Sequence, residues 1–316
     1  MLKLISQTHH RSNSMVTMIL STAFWGLGMV MTKGMLEYIP PLTLLLIQLT
    51  TSVTLYWAIV LIGKRFDIRK IKPKQNQNQT RGLWELLKLG FPGLLEPGFS
   101  YMLGSIGLTM TTASSASLLG TSEPVMTVAV AWLLLREKIS YPLIIFAAVA
   151  VVGVTFTIGL DFNLNGHALF GDLLILAGTF CASFYAVLSS QSVKKLSPVH
   201  LAAIQQSFGL VFVAVVWFCI SDYNELAQLN INLRLWCLAF ASGIVQYQLP
   251  FWLYLVSLQK LPASIAAQFL SLIPVFATFA AYFFLNERLN LSQGIGMMLI
   301  ITAVIGIARL KEVASL

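Results

Sequence analysis

Charge is what this sequence has least of. Asp, Glu, Lys and Arg make up 10% of its 316 residues, against 57% apolar residues, and the mean hydropathy is +0.79. A soluble domain carries about 25% charged residues, so this chain has too few to cover a water-facing surface. Cysteine is also sparse. Cys181, Cys219 and Cys237 all lie in apolar segments without CxxC spacing, which argues against a disulfide framework or a zinc site. The four histidines, His9, His10, His167 and His200, sit in the amino-terminal tail or near segment ends. They cannot supply an intramembrane haem or metal site, and nothing else in the sequence calls for a cofactor. A Walker A loop is missing, so the chain alone does not use ATP. Asp67, Asp161, Asp172 and Asp222 fall in loops or at span ends, leaving no aspartate pair for intramembrane hydrolysis. Without a buried histidine to activate a serine, an enzyme is disfavoured.

What the chain does have is apolar runs of about 20 residues, the length that crosses a hydrocarbon core. Ten spans are expected, at 15–36, 42–62, 83–108, 112–135, 142–160, 168–190, 199–220, 233–258, 263–285 and 290–309. Span one follows Lys3 and Arg11 and is similar to a signal peptide, but its length and its later counterpart argue that it stays. The net charge of +8 is no nucleic-acid signal, because the basic residues sit in a few loops. With an inside amino terminus, 17 of the 20 Lys and Arg face inward, leaving only Lys33, Arg234 and Arg288 outside. This bias follows the positive-inside rule and places both termini in the cytoplasm, with the chain in the plasma (inner) membrane. The longest polar stretch, Gly63 to Arg81, contains Gln75-Asn76-Gln77-Asn78-Gln79 and reads as a cytoplasmic linker.

An internal repeat organises the spans. A shift of 150 residues pairs Ala113-Ser114 with Ala263-Ser264, Pro124-Val125 with Pro274-Val275 and Glu137 with Glu287. A shift of 157 pairs Pro41 with Pro198 and Ile47-Gln48 with Ile204-Gln205. Five spans per repeat is an odd number, so the second copy enters the membrane from the opposite side. The expected fold class is therefore an all-α membrane protein, ten transmembrane helices forming two inverted five-helix repeats around a central cavity. The expected boundaries are a tail at 1–14, a first repeat at 15–160 with the linker at 63–82, a second repeat at 161–310 and a tail at 311–316.

One element occurs twice: a small-residue helix start, a mid-helix proline and a terminal acidic pair. It reads Ala113-Ser114-Ser115-Ala116…Pro124…Leu135-Arg136-Glu137-Lys138, then Ala263-Ser264-Ile265-Ala266…Pro274…Leu285-Asn286-Glu287-Arg288. With Thr22-Ala23-Phe24-Trp25-Gly26 in span one, these segments resemble the drug/metabolite transporter superfamily in its ten-helix EamA-type branch. The resemblance covers nearly the whole chain. It implies ten helices around a central cavity, working by alternating access, with a small-molecule substrate such as an amino acid, a drug or another metabolite.

Ionisable groups at mid-membrane depth cost about 2.5–3.5 kcal/mol on insertion scales and default to functional candidates. Two acids qualify, Glu96 in Gly93-Leu94-Leu95-Glu96-Pro97-Gly98 and Glu123 before Pro124. Each can carry a proton, or can simply stabilise a kink. Pro97 and Pro124 remove the donors for the carbonyls of Gly93 and Gly120, and Pro274 repeats the break in the second half. Glu96 is paired by the 150-residue shift with Gln246, within Gln246-Tyr247-Gln248. The expected substrate contacts are Glu96, Gln246, Gln248, Tyr101, Trp25, Gln48, Gln205 and Gln268, with Glu96 and Glu123 carrying protons. Gln48, Gln205 and Gln268 fit interhelical hydrogen bonding equally well. Trp25, Tyr101, Trp252 and Tyr254 either wall an apolar pocket or face lipid. Glu137 and Glu287, beside basic residues at helix ends, fit an ion pair or a loop anchor better than a gate.

Overall fold

The computed structural model describes residues 2–65, 82–111, 119–158, 166–220, 232–285 and 291–310. Most of the polar linker, the small-residue start of span four at 112–118, the pair Glu287-Arg288 and the final six residues lie outside the described residues. No strand occurs among the described residues.

The first half comprises α1 (Leu2–Met35), α2 (Pro41–Arg65), α3 (Leu83–Gly93), α4 (Ser100–Leu108), α5 (Glu123–Leu135) and α6 (Tyr141–Ile158). The second comprises α7 (Gly166–Ser192), α8 (Pro198–Ile220), α9 (Leu233–Gly243), α10 (Leu249–Leu258), α11 (Ala263–Leu270), α12 (Ile273–Leu285) and α13 (Leu291–Arg309). Pro41 and Pro198 open their helices, a position where the missing N–H costs nothing. Asn232 caps α9 by accepting the Leu235 N–H at 2.9 Å. Spans three and eight are each broken in two, as α3–α4 and α9–α10. Helix α1 runs back to Leu2, through most of the segment expected as a tail.

Six helical stretches, 13–35, 41–63, 168–192, 198–220, 263–284 and 291–309, are long and apolar enough to cross a bilayer. The polarity of the molecule is arranged for lipid. Large apolar side chains such as Leu133, Val211, Phe218, Phe283, Phe284 and Met298 stand exposed, while Gln48, Ser52, Thr127, Ser189, Gln205, Gln206, Ser242 and Gln268 are buried. In water such a surface would aggregate.

The two halves interdigitate. Repeat-related helices pack on each other, α2 on α8 and α6 on α13. Helix α1 packs on α10 and α12, and its repeat partner α7 packs on α4 and α5. Likewise α3 packs on α8, and α9 on α2. Contacts along α2 and α8 run in opposite directions: Trp217 Nε1 donates to Thr43 Oγ1 (3.0 Å), Ser52 Oγ to Gln206 Oε1 (2.5 Å) and Trp57 Nε1 to Ser207 Oγ (3.0 Å). Thr43 at the start of α2 meets the end of α8, whereas Ser52 and Trp57 further along α2 meet its first half. The repeat-related helices are thus antiparallel, which is what an inverted repeat requires.

Close approach at two glycines sets this packing. A Cβ on Gly93 would lie 1.8 Å from the Gln205 carbonyl oxygen, and one on Gly243 would lie 2.7 Å from the Gln48 carbonyl oxygen. The shifts of 150 and 157 relate these contacts to each other. Each broken helix therefore presses bare backbone against the neighbouring helix of the other half.

A third link joins the halves at the end of α5. Arg136 adopts the left-handed conformation (φ 53, ψ 33), and Glu137 reaches the start of α11. Its Oε1 accepts the Ala263 N–H (3.2 Å), and its Oε2 accepts the Ser264 N–H (3.2 Å) and the Ser264 hydroxyl (2.5 Å). Pro262, at the cap position, makes no side-chain cap. The carboxylate supplies those acceptors and meets the positive end of the helix dipole.

Gly93→Ala is expected to destabilise the protein by about 1–3 kcal/mol, because backbone has no means of yielding to the added carbon. Gly104→Ala, inside α4 where nothing lies within 4 Å, should leave the thermal unfolding midpoint in detergent equal or slightly raised, since alanine favours the helix by about 0.5–1 kcal/mol.

Candidate functional site

The site is built around two widened turns at equivalent places in the repeat, Leu94–Phe99 and Ile244–Gln248. In the first, Glu96 leaves the helical conformation (φ −147, ψ 125) before a cis bond to Pro97. Pro97 is buried against Gly209 of α8. The second turn has no proline inside it, but Pro250 just beyond cannot donate to the Gln246 carbonyl. Tyr247 stands where the first half has Pro97, so the turn does not depend on one residue type.

Both turns carry buried polar groups at one depth, but their bonding differs. At the second turn a chain is complete. Gln48 Nε2 donates to Ser242 Oγ (2.8 Å) and Thr32 Oγ1 (2.9 Å), and the Thr32 hydroxyl donates to Gln246 Oε1. The repeat-related chain is Gln205, Ser189 and Glu96. There Gln205 Nε2 donates to Ser189 Oγ at 3.0 Å, but the chain stops. Gln205 Oε1 has no partner, and Glu96, only 9% exposed, makes no side-chain hydrogen bond or ion pair among the described residues. Pro92 occupies the place equivalent to Ser242, removing one further donor.

Next to Glu96 lies an aromatic cluster drawn from both halves. The ring of Phe251 on α10 is 5.2 Å from Trp25, 5.8 Å from Tyr185, 6.3 Å from Tyr247 and 6.5 Å from Tyr101, centroid to centroid. Tyr254 lies 5.6 Å from Trp25 and 6.5 Å from Tyr185, and Tyr101 lies 5.1 Å from Tyr247. Several of these rings keep a polar handle turned inward without a partner. The Tyr101 hydroxyl faces the Trp25 indole but does not satisfy it, and buried Trp25 Nε1 and Tyr254 Oη have no hydrogen bond. Glu96 interacts electrostatically with Tyr101, Tyr185, Tyr247 and Tyr254, and with Glu123.

Glu123 opens α5 after a turn at Thr121–Ser122. The chain breaks before Pro124, which sits in the first turn of α5, and before Pro274, which sits in the first turn of α12. Each proline starts a new helix instead of kinking a continuous one. Gln268, fully buried on α11, donates to the Pro124 carbonyl at 3.3 Å and leaves its Oε1 unpartnered. Thr127 Oγ1, one turn into α5, is also buried without a partner.

The structure thus brings together Trp25, Glu96, Tyr101, Glu123 and Tyr254, with Gln246 and Gln248 on the facing turn. Gln48 is spent on joining α1, α2 and α9. Trp252 is 38% exposed on the outer surface, the lipid-facing side of its two expected places. Tyr185 was not singled out by sequence reasoning. Its only signal is a tyrosine in mid-span, away from the interfacial belts where tyrosine is usual. No group of three or more His, Cys, Asp or Glu side chains that could hold a metal ion occurs among the described residues.

With this geometry in place, comparison with known proteins is direct. The sequence model of the EamA-like transporter family matches residues 13–159 and again 169–309. The chain belongs to that family. Curated relatives include the uncharacterized transporter YetK of Bacillus subtilis, 27% identical over 296 residues, covering 90% of this chain and 84% of that protein. An uncharacterized transporter of Archaeoglobus fulgidus is 30% identical over 227 residues, covering 70% of this chain and 68% of that one. A solved crystal structure shares the fold with a TM-score of 0.76 at 14% identity, over 94% of this chain and 98% of that one. The protein is a multi-pass membrane transporter of two repeats.

Bonded and unbonded glutamines separate in a stability measurement. Gln48→Leu, which breaks bonds to two helices, should cost about 1 kcal/mol, since such bonds average roughly 0.6 kcal/mol each. Gln248→Leu, whose side chain has no hydrogen bond among the described residues, should leave the unfolding midpoint unchanged.

Proposed function

We propose that the protein is a secondary active transporter that exports a small metabolite, amino acid or drug-like solute by alternating access. The transmembrane proton gradient drives it through Glu96, with Glu123 beside it. One observation carries this reading: Glu96 lies buried at the junction of the halves, without a bonding partner among the described residues, where its repeat twin Gln246 is bonded. A carboxyl held this way gains or loses a proton without breaking a structural bond. Because the halves are inverted copies, exchanging their packings would move the complete polar chain from one half to the other. That exchange opens the centre to the opposite face. The protein resides in the plasma membrane with both termini in the cytoplasm, an orientation supported by the distribution of Lys and Arg.

In vesicles with an imposed pH gradient, uptake of labelled amino acids, nucleosides and amines should depend on the gradient for the transported class. Glu96→Gln should lower that uptake at least tenfold and flatten its pH dependence. Transport by Glu96→Gln at the normal rate with unchanged pH dependence sinks the coupling and favours an uncoupled facilitator. For orientation, in a background without native cysteines, Tyr38→Cys should react with an impermeant maleimide in intact cells. Lys194→Cys should react only after permeabilisation.

A further inference from the structure

We infer that the centre of the molecule binds an organic cation, an ammonium group on an aromatic or alkyl body, and that this cation and protons compete for Glu96 and Glu123. The inference rests on the transporter reading above and names its substrate class. Three independent features lead to it.

The first is charge. Glu96 and Glu123 interact with each other at the junction of the halves, and neither makes an ion pair among the described residues. The titratable groups that face Glu96 are Tyr101 of α4, Glu123 of α5, Cys181 and Tyr185 of α7, Tyr247 of the second widened turn and Tyr254 of α10. None is a cation. Among the described residues, therefore, nothing neutralises the one or two negative charges the bare site can hold, and a positive ligand or protons can do so.

The second is the wall. Trp25, Tyr101, Tyr185, Tyr247, Phe251 and Tyr254 come from two whole or broken spans of each half, and they meet with ring centroids 5.1–6.5 Å apart. An aromatic face attracts an ammonium group within about 6 Å of its centroid, and more strongly where water is excluded. Rings already in mutual contact can trade that contact for a cation and its apolar body. An anionic ligand would meet the negative faces of the rings as well as two carboxyls.

The third is the set of unpartnered polar atoms. Tyr254 Oη and Gln268 Oε1 are buried without hydrogen bonds, and both can accept from an N–H of a primary or secondary ammonium. Trp25 Nε1 can donate to a carboxylate drawn toward the ligand. A quaternary ammonium would use only the rings and the charge.

The purified full-length protein tests this with three probes of similar size: benzyltrimethylammonium, benzyl alcohol and phenylacetate. Equilibrium binding should favour the cation over both others by at least tenfold at pH 8. Because protons occupy the same carboxyls, cation affinity should fall as pH is lowered, up to tenfold per unit, whereas benzyl alcohol should show no such dependence. Glu96→Gln should weaken the cation at least tenfold and reduce the pH dependence to the part carried by Glu123. Phe251→Leu should weaken it with the pH dependence kept. A cation no tighter than benzyl alcohol, a preference for phenylacetate, or cation binding in the wild type that ignores pH overturns the inference. The pH series on the wild type stands even if a variant fails to fold. Reconstitution separates the two readings. Binding with the expected pH dependence but no passage of the cation across vesicles refutes transport and keeps the site. Passage of phenylacetate above its rate in protein-free vesicles, with none of the cation, refutes the cation and keeps transport.

Discussion

A polar group at mid-bilayer depth cannot turn to water, so every one must find its partner inside the protein or stand unbonded at a cost. Most of this architecture follows from that constraint. Apolar side chains are sent outward to lipid, and the serines, threonines and glutamines are gathered where helices meet. Gln48 bonds to two helices at once because a single unmet amide there would be expensive. Glu137 caps α11 for the same reason, since Pro262 offers that helix nothing at its start. The polar atoms left over are then informative. Glu96, Trp25 Nε1, Tyr254 Oη and Gln268 Oε1 cluster at the centre, and unsatisfied groups of that kind are where a ligand would be received.

The halves are not two domains laid side by side. Helix α1 finds its main partners in α10 and α12, and α7 finds its own in α4 and α5, so each repeat is completed by the other. Neither half would bury its interior alone. The two glycine notches, Gly93 against the Gln205 backbone and Gly243 against the Gln48 backbone, fix the broken helices at matching depths on either side of the pseudo-twofold axis. Small differences between the copies therefore become visible. Thr32 and Gln246 are bonded, whereas Ser189 and Glu96 are not. The widened turn forms with a proline in one half and a tyrosine in the other, so the backbone shape belongs to the repeat and the chemistry belongs to the individual residues.

Much of the fold was legible from the chain alone. The spans were placed close to the observed helices, because lipid demands long uninterrupted apolar runs and leaves few ways to make them. The 150-residue shift put Glu96 and Gln246 at one depth, and the structure places both in widened turns. The aromatic wall was less legible. Tyr254 and Trp252 are two residues apart in an apolar helix, and hydropathy cannot say that one is buried at the centre and the other faces lipid. Tyr185 gave almost no signal, since its importance comes from Phe251, 66 positions away in sequence. The glutamines were equally ambiguous, because an amide that joins helices and one that greets a ligand look alike in a list of letters.

The sequence by itself determined the class, the number of spans and their inverted duplication, because each rests on local hydropathy or on self-similarity that needs no partner. It also marked the two acids as exceptional, since their cost in lipid is a property of the residue and its depth. Only the tertiary structure decided which polar groups are already bonded, which rings share a centre and which proline begins a helix. Those depend on what stands opposite each residue, and here the opposite residue often comes from the other half of the chain.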